Sequence, residues 1–201
     1  MSRPARRPGR DDALAAVRRI LLKGGGRIEM QTVAEQIGVN RVTLYRWVGT
    51  RDEVVVEVLW DLTERLIGRW WQELVGLPGS RVPAVLAHWV QETVSTPGMR
   101  EFLHGESQWA MRLLTLRVGG FQPRLLALVG ELIAADVAEG RVATPLSLDE
   151  LAYTVVRVCE SYIYLPAITG EPVDPHVLER VLRVLLPATG QVTPEAEAPG
   201  A

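Results

Sequence analysis

Residues 32–51 read Thr-Val-Ala-Glu-Gln-Ile-Gly-Val-Asn-Arg-Val-Thr-Leu-Tyr-Arg-Trp-Val-Gly-Thr-Arg and carry the strongest structural signal in the chain. Ala34 is small enough to lie where two helices touch, Gly38 can adopt a positive φ without steric cost, and Val39 follows with an apolar side chain. This order of small, left-handed and apolar residues predicts a helix-turn-helix. The expected helices span residues 30–37 and 40–47.

The second of these helices has one apolar side and one polar side. Asn40 is a favourable N-cap for it. Ile37, Val39, Leu44 and Val48 are expected to form the buried side of the helix pair. The residues at the start and on the outer side would then enter a DNA major groove or contact phosphates. They are Arg41, Val42, Thr43, Tyr45, Arg46 and Trp47.

Outside this motif the apolar residues recur with helical spacing, and no stretch alternates with the period of a strand. Asp11 or Asp12 can cap a first helix, which the Gly24–Gly26 run should end. Thr50 and Glu53 have capping-box spacing at the start of a long helix from Arg51 to about Leu74. The pattern predicts an all-α protein of about nine helices. The remaining predicted helices cover 82–96, 99–103, 106–117, 122–139, 148–165 and 174–186.

Composition restricts the class of protein. The chain has 201 residues, 47% of them hydrophobic, which is enough to bury a core. It has no apolar run of the roughly 20 residues that cross a bilayer, and no secretory signal at its start. Cys159 is the single cysteine, so a disulfide or a cysteine-rich metal site is not expected. We therefore expect a cytoplasmic protein without membrane contact, metal or other cofactor.

Charge is distributed unevenly along the chain. Residues 1–51 hold 11 of the 22 Lys and Arg residues and four of the acidic ones, a net charge of +7, whereas the remainder carries −9. A basic end on an acidic body suits a protein that presents one end to polyphosphate.

The motif resembles the DNA-binding domain of TetR-family repressors, whose usual pattern is IA-x-x-AGVS-x-x-T-L-Y-x-x-F-x-x-K. The matching residues are Val33-Ala34, Ile37-Gly38-Val39-Asn40, Thr43-Leu44-Tyr45, Val48 and Arg51. Val48 replaces the usual Phe, and Glu29 stands where a Thr cap is usual. Further segments resemble QsdR-type TetR regulators. These are Tyr45–Gly49, Glu57–Trp60, Met99–Leu103, Arg112–Thr115 and 159–174.

The resemblance implies DNA contacts for individual residues. Tyr45 would bind a phosphate through its hydroxyl, Thr43 a phosphate or thymine methyl, and Arg41 a base edge such as that of guanine. Arg51 stands at the family's lysine and would bind a phosphate. Gln31 and Thr32 would approach the backbone from the first helix of the pair, and Trp47 occupies a position where His or Tyr is common.

The family also implies a division of the chain into regions with separate roles. We expect a flexible basic arm over residues 1–10, a DNA-binding domain over 11–57, an effector-binding and dimerisation domain over 58–187, and a disordered tail over 188–201. Aromatic and polar side chains are candidates for ligand contact, although packing in the core would explain each of them equally simply. They are Trp60, His88, Trp89, Phe102, Trp109, Cys159, Glu160, Tyr162 and Tyr164.

In TetR-type proteins the last two helices pair with those of a second subunit in a four-helix bundle. The side chains expected on this shared face are Leu151, Val155, Val158, Tyr162, Val177, Val181 and Leu185. Dimerisation would also place two recognition helices in successive major grooves, about 34–36 Å apart.

These expectations combine into one function. A homodimer would bind a palindromic DNA operator, repress transcription, and be released when a small apolar effector binds; QsdR-type relatives make an acyl lactone one candidate. An enzyme is not expected, because the sequence lacks a Walker loop, G-x-S-x-G, H-E-x-x-H and the dinucleotide glycine pattern. The alternative is a helical adaptor that keeps the fold without sequence-specific DNA binding.

Overall fold

The computed structural model describes residues 8–24 and 27–189, and this part of the chain is helical. A 3₁₀ turn over Arg117–Gly119 precedes α8. The ten α-helices are α1 (Arg10–Lys23), α2 (Met30–Ile37), α3 (Arg41–Val48), α4 (Arg51–Glu73), α5 (Val82–Ser95), α6 (Pro97–Gly105), α7 (Ser107–Thr115), α8 (Phe121–Ala138), α9 (Leu148–Thr169) and α10 (Pro175–Leu185).

The helix-turn-helix forms as its residues predict. Gly38 ends α2 in the left-handed conformation, with φ +74°, and the Val39 amide donates to the Ala34 carbonyl at 3.0 Å. Asn40 caps α3, since its side-chain oxygen accepts from the Thr43 amide at 2.7 Å. Val33 and Leu44 are fully buried between α1, α2 and α3. The turn is therefore specified by local bonds and held by a small apolar core.

Helix α4 begins with the expected capping box. The Glu53 carboxylate accepts from the Thr50 amide at 2.6 Å, and the Thr50 hydroxyl accepts from the Glu53 amide at 3.2 Å. The bond from the Thr50 amide, with that from its hydroxyl, lowers the pKa of the Glu53 carboxyl. The helix then continues for 23 residues without interruption.

The start of the chain differs from the prediction in one respect. Helix α1 begins at Arg10, which was expected to lie in the arm. Asp12 does cap this end, but from inside the first turn, where its carboxylate accepts from the Gly9 amide at 2.7 Å. The rest of the predicted arm, residues 1–7, lies outside the described residues.

The expected break between two helices is present, but it lies at Thr96, and Pro97 and Gly98 form the first turn of α6 rather than the break itself. Proline is tolerated in the first turn of a helix because the amide that it lacks would have no partner there. Gly98 lies against α1. A Cβ at this position would be 2.2 Å from the Ile20 carbonyl oxygen, so only glycine permits this approach.

The other end of the chain also departs from the prediction. Helix α9 runs to Thr169, through Pro166, rather than ending at residue 165. Ala188 was assigned to the disordered tail, but it pairs with Val142 in an isolated antiparallel bridge, and the Thr189 hydroxyl donates to the Gly140 carbonyl. Residues 190–201 of the predicted tail lie outside the described part of the chain.

Helices α4 to α10 surround the larger part of the core, which is continuous with the buried residues of α1, α2 and α3. Helix α8 packs against α9, and α5 lies between α4, α9 and α10. Helix α6 contacts both α1 and α5, so it lies where the two parts of the core meet. Within residues 8–24 and 27–189, no helix has the length and apolar character needed to cross a membrane.

Candidate DNA-binding surface and ligand cavity

Helix α3 presents its predicted outer residues to solvent. Arg41, Val42 and Arg46 are exposed, and Val42 keeps 77% of its surface. The chain itself therefore buries little of this apolar side chain, which lies between two arginines. Contact with a thymine methyl group would bury it. Thr43, Tyr45 and Trp47 are half-buried at the edges of the same surface.

Arg41 and Tyr45 lie one helical turn apart and touch. The Arg41 guanidinium donates to the Tyr45 hydroxyl at 3.0 Å and lies 5.2 Å from the centre of its ring. This contact leaves most of the guanidinium donors free. On α2, Gln31 and Thr32 are both exposed, and Gln31 donates to Glu35 at 2.6 Å. The DNA contacts expected from the sequence stay predictions; four of these residues, Gln31, Arg41, Tyr45 and Arg51, line one surface groove.

Arg51 has partners within the chain that the sequence did not indicate. Its Nε donates to the Ile28 carbonyl at 2.6 Å, a second guanidinium nitrogen lies 2.5 Å from the Glu106 carboxylate, and the group stacks 3.6 Å from the centre of the Trp109 ring. Trp109 also donates to Asp52 at 2.8 Å. The first turn of α4 is thus held to the α6–α7 corner.

A cavity of about 320 Å³ lies in the larger part of the core, between α4, α5, α8 and α9. Its walls are mainly apolar, which suits a small molecule with a hydrocarbon body. The lining residues are Leu22, Leu59, Leu62, Thr63, Arg65, Leu66, Arg69, Trp89, Glu92, Thr93, Thr96, Met99, Leu114, Phe121, Leu125, Glu160, Ile163 and Tyr164.

Three of the nine candidate ligand residues line this cavity: Trp89, Glu160 and Tyr164. Leu59, Leu62 and Leu66 also line the cavity and were not predicted, although their spacing of three and four residues along α4 could have indicated them.

The other six candidates lie elsewhere. His88 stacks on Trp70, with ring centres 3.7 Å apart. Trp60 packs against Phe121, and Phe102 against Trp109, both edge to face. Cys159 is fully buried, which raises the pKa of its thiol. Tyr162 is half-buried on α9 outside the cavity.

Glu160 and Tyr164 are polar groups in an apolar wall. The two residues are 7% and 5% exposed. Burial raises the pKa of the Glu160 carboxyl to about 7, although the positive charge of Arg157 opposes the shift. Burial and the nearby Glu160 charge also raise the pKa of the Tyr164 hydroxyl.

The residues expected on the dimer face differ in their exposure. Val158, Tyr162, Val177, Val181 and Leu185 all retain exposed surface. Leu151 and Val155 do not: each is fully buried in the core of its own chain, so neither has surface left for a partner. They point from α9 towards the interior, opposite to the side that stays open.

Two exposed apolar residues lie beside this face and were not predicted. Val184 on α10 is 80% exposed, and Ile168 on α9 is 72% exposed. Val184 lies three residues after Val181, and Ile168 lies three residues after Leu165, so the members of each pair lie on one face of their helix. These two residues extend the expected face towards the carboxyl ends of α9 and α10.

A family model described as "Tetracyclin repressor-like, C-terminal domain" matches residues 79–187, which is more than half of the 201-residue chain. Comparison with curated protein sequences gives no match.

Among solved structures, the chain is similar to the transcriptional repressor QsdR of the TetR family from R. erythropolis. The two are 25% identical over 90% of this chain and 95% of that one, with a TM-score of 0.74. The TetR-family repressor AlkX from a Dietzia species shares the fold at 20% identity, over 90% and 95% of the two chains, with a TM-score of 0.60.

A third similar structure is the TetR-family repressor FadR from Thermus thermophilus, solved with lauroyl-CoA. It is 20% identical over 96% of this chain and all of that chain, with a TM-score of 0.61. The helical fold is shared with these neighbours over most of the chain, and the family model assigns the C-terminal region to a tetracyclin repressor-like domain. The chain therefore belongs to the TetR family of transcriptional regulators.

Proposed function

We propose that this protein is a homodimeric repressor that binds a palindromic DNA operator and is released by a small, largely apolar effector. One observation carries the proposal. Helix α4 is a single unbroken helix that begins at Arg51, beside the α2–α3 pair, and lines the cavity with Leu59, Leu62 and Leu66. A ligand that packs against this helix can therefore shift its first turn, which follows α3 after Gly49 and Thr50 and lies on the part of α4 that packs with α1.

In this proposal residues 11–57 bind DNA, and residues 58–187 bind the effector and the second subunit. Arg41, Val42 and Thr43 would meet base edges, while Gln31, Thr32, Tyr45, Arg46, Trp47 and Arg51 would contact or approach the backbone. The exposed apolar residues of α9 and α10 would pair with their equivalents. The ligand can act only through a difference in its affinity for the DNA-competent and released states.

The test is fluorescence anisotropy of the full-length protein on duplex DNA from upstream of its own gene, over a series of salt concentrations. We expect saturable binding whose affinity falls steeply with salt. Tyr45→Phe removes one phosphate-binding hydroxyl and should weaken binding about tenfold. Tyr153→Phe is the matched control, because Tyr153 is 52% exposed on α9.

The same assay tests effector release. Acyl lactones are the first class to add, given the similarity to QsdR, and release should coincide with saturation of the cavity. Ligand binding without any change in DNA affinity would contradict the coupling through α4. If the protein binds neither its upstream DNA nor any site selected from genomic fragments, the adaptor alternative replaces the repressor.

A further inference from the structure

The cavity wall contains two buried polar atoms that have no hydrogen-bond partner within the chain. They are Oε1 of Glu160 and the hydroxyl of Tyr164. Both residues line the cavity, and both are more than nine-tenths buried. Buried polar atoms in folded proteins are nearly always bonded, so an unpaired couple in a cavity wall indicates groups that a ligand would satisfy.

The charged groups at the rim of the cavity already have partners. Arg69 and Arg65 pair with Glu92 and Asp61 respectively. Glu92 also accepts from the Trp70 indole at 2.7 Å. The rim therefore needs no ionic ligand, and the unmet hydrogen-bonding capacity belongs to Glu160 and Tyr164.

The two unpaired atoms differ in the hydrogen bond that each can form. Arg157 lies 3.0 Å from Oε2 of Glu160, and its positive charge favours the carboxylate against the opposing effect of burial. Above the raised pKa of Glu160, where the group is ionised, Oε1 can only accept a hydrogen bond. The Tyr164 hydroxyl can donate one. The residues are four apart on α9, so they lie on the same face one turn from each other.

We propose that the cavity selects uncharged amphiphiles whose polar end combines a hydrogen-bond donor for Glu160 with an acceptor for Tyr164, as a carboxamide does, and discriminates against fatty carboxylates. The inference rests on the proposed effector site and adds its chemical selectivity. The hydrocarbon chain lies against Leu59, Leu62 and Leu66, and the polar end reaches α9.

The discrimination has a physical basis for each class of competitor. A fatty carboxylate places a second negative charge beside Glu160 in a low-dielectric wall, where repulsion between like charges is strong. An ester offers an acceptor but no donor, so it leaves Oε1 of Glu160 buried and unpaired. Sites built to bond a polar group reject analogues that lack it much more strongly than they reject a change of one methylene.

Isothermal titration calorimetry on the full-length dimer tests this with octanamide, methyl octanoate and octanoate at about pH 8, where most of Glu160 is charged. The three probes share the hydrocarbon chain and differ at the polar end. We expect octanamide to bind at least ten times more tightly than either competitor.

Two substitutions identify the responsible groups. Tyr164→Phe should weaken octanamide binding about fivefold, whereas Tyr153→Phe, at a position 52% exposed on the same helix and outside the cavity, should leave it unchanged. Glu160→Gln keeps an acceptor, adds a donor and removes the charge. It should therefore bring the affinities for octanoate and octanamide within about threefold of each other. Circular dichroism and thermal melting establish whether each variant is folded. If a variant is unfolded, the comparison of the three probes on the unmodified protein tests the proposal by itself.

The possible results separate the two proposals. Equal binding of the three probes, or preference for octanoate, overturns the selectivity and leaves the apolar effector site intact. Failure of all three to bind overturns both the selectivity and the proposed effector site. DNA binding by the unliganded protein is measured separately and does not depend on either result.

Discussion

The Glu106 carboxylate lies between two arginines of the DNA-binding end, 2.5 Å from Arg51 and 2.8 Å from Arg27. Glu106 lies at the corner between α6 and α7, whereas Arg51 begins α4 and was expected to contact a phosphate. One carboxylate therefore pairs with two arginines, of which Arg51 is proposed to contact a phosphate. It also joins the cavity-bearing part of the chain to the helix-turn-helix.

Neutralising this carboxylate should strengthen DNA binding. Glu106→Gln releases Arg51 and Arg27 for phosphates, so we expect operator affinity to rise about threefold or more at low salt, with a steeper salt dependence, by fluorescence anisotropy. Glu131→Gln makes the same chemical change at an exposed position on α8 and serves as the control. An unchanged affinity and salt slope would show that neither arginine is limited by Glu106.

The close approach of α6 to α1 should make Gly98 intolerant of a side chain. Gly98→Ala places a methyl group against the Ile20 carbonyl, and we expect it to lower the free energy of unfolding by about 1–3 kcal/mol. Urea denaturation measures the change. Gly105→Ala is the matched control, since nothing lies within 4 Å of a Cβ there. Similar losses at both positions would contradict the packing argument.

The exposed apolar surface of α10 should support self-association. Val184→Asp puts a charge where a partner would bury Val184, so we expect the dimer to dissociate to monomers at micromolar concentration, by sedimentation equilibrium. Val75→Asp alters a valine that is also exposed, at 56%, just beyond α4. If Val184→Asp sediments as the parent protein does, the subunit contact lies elsewhere.

The raised pKa of Glu160 should make stability depend on pH. Its carboxyl titrates near pH 4.5 when unfolded and near 7 when folded, so the folded chain holds the proton more tightly. This contribution is complete below pH 4.5 and disappears as the pH rises through about 7. The free energy of unfolding should fall across this window by up to about 1.4 kcal/mol per pH unit. Urea titrations at several pH values measure it, and Glu160→Gln should show a smaller decline. An equal decline in both proteins would assign the pH dependence to other groups.

Local features of the fold could be predicted because the bonds that create them span only a few residues. Asn40 caps an amide three positions ahead, and Thr50 and Glu53 bond each other over the same distance. Gly38 needs only its own freedom to adopt a positive φ. Pro97 was misread because a proline suits both a break and a first helical turn, and the contact of Gly98 with α1 chooses between them.

The ligand candidates could be predicted much less well. Trp89, Trp60 and Trp109 look equivalent in the sequence, but one lines the cavity, one packs on Phe121 and one stacks on Arg51. Likewise, Leu151 and Val158 both fit an amphipathic face of α9, yet only Val158 keeps surface for a partner. Periodicity identifies an apolar face without identifying what covers it.

The sequence by itself determined the all-α class, the helix-turn-helix with its exposed α3, and the capped start of α4, because hydrogen bonds between near neighbours and helical periodicity specify them. The tertiary structure alone decided which side chains enclose the cavity, that Glu160 and Tyr164 meet it unpaired, and that Glu106 holds Arg51. These features depend on tertiary packing: Leu59 and Glu160 line the same cavity, although α4 and α9 are far apart along the chain, because both helices pack against α5 and α8.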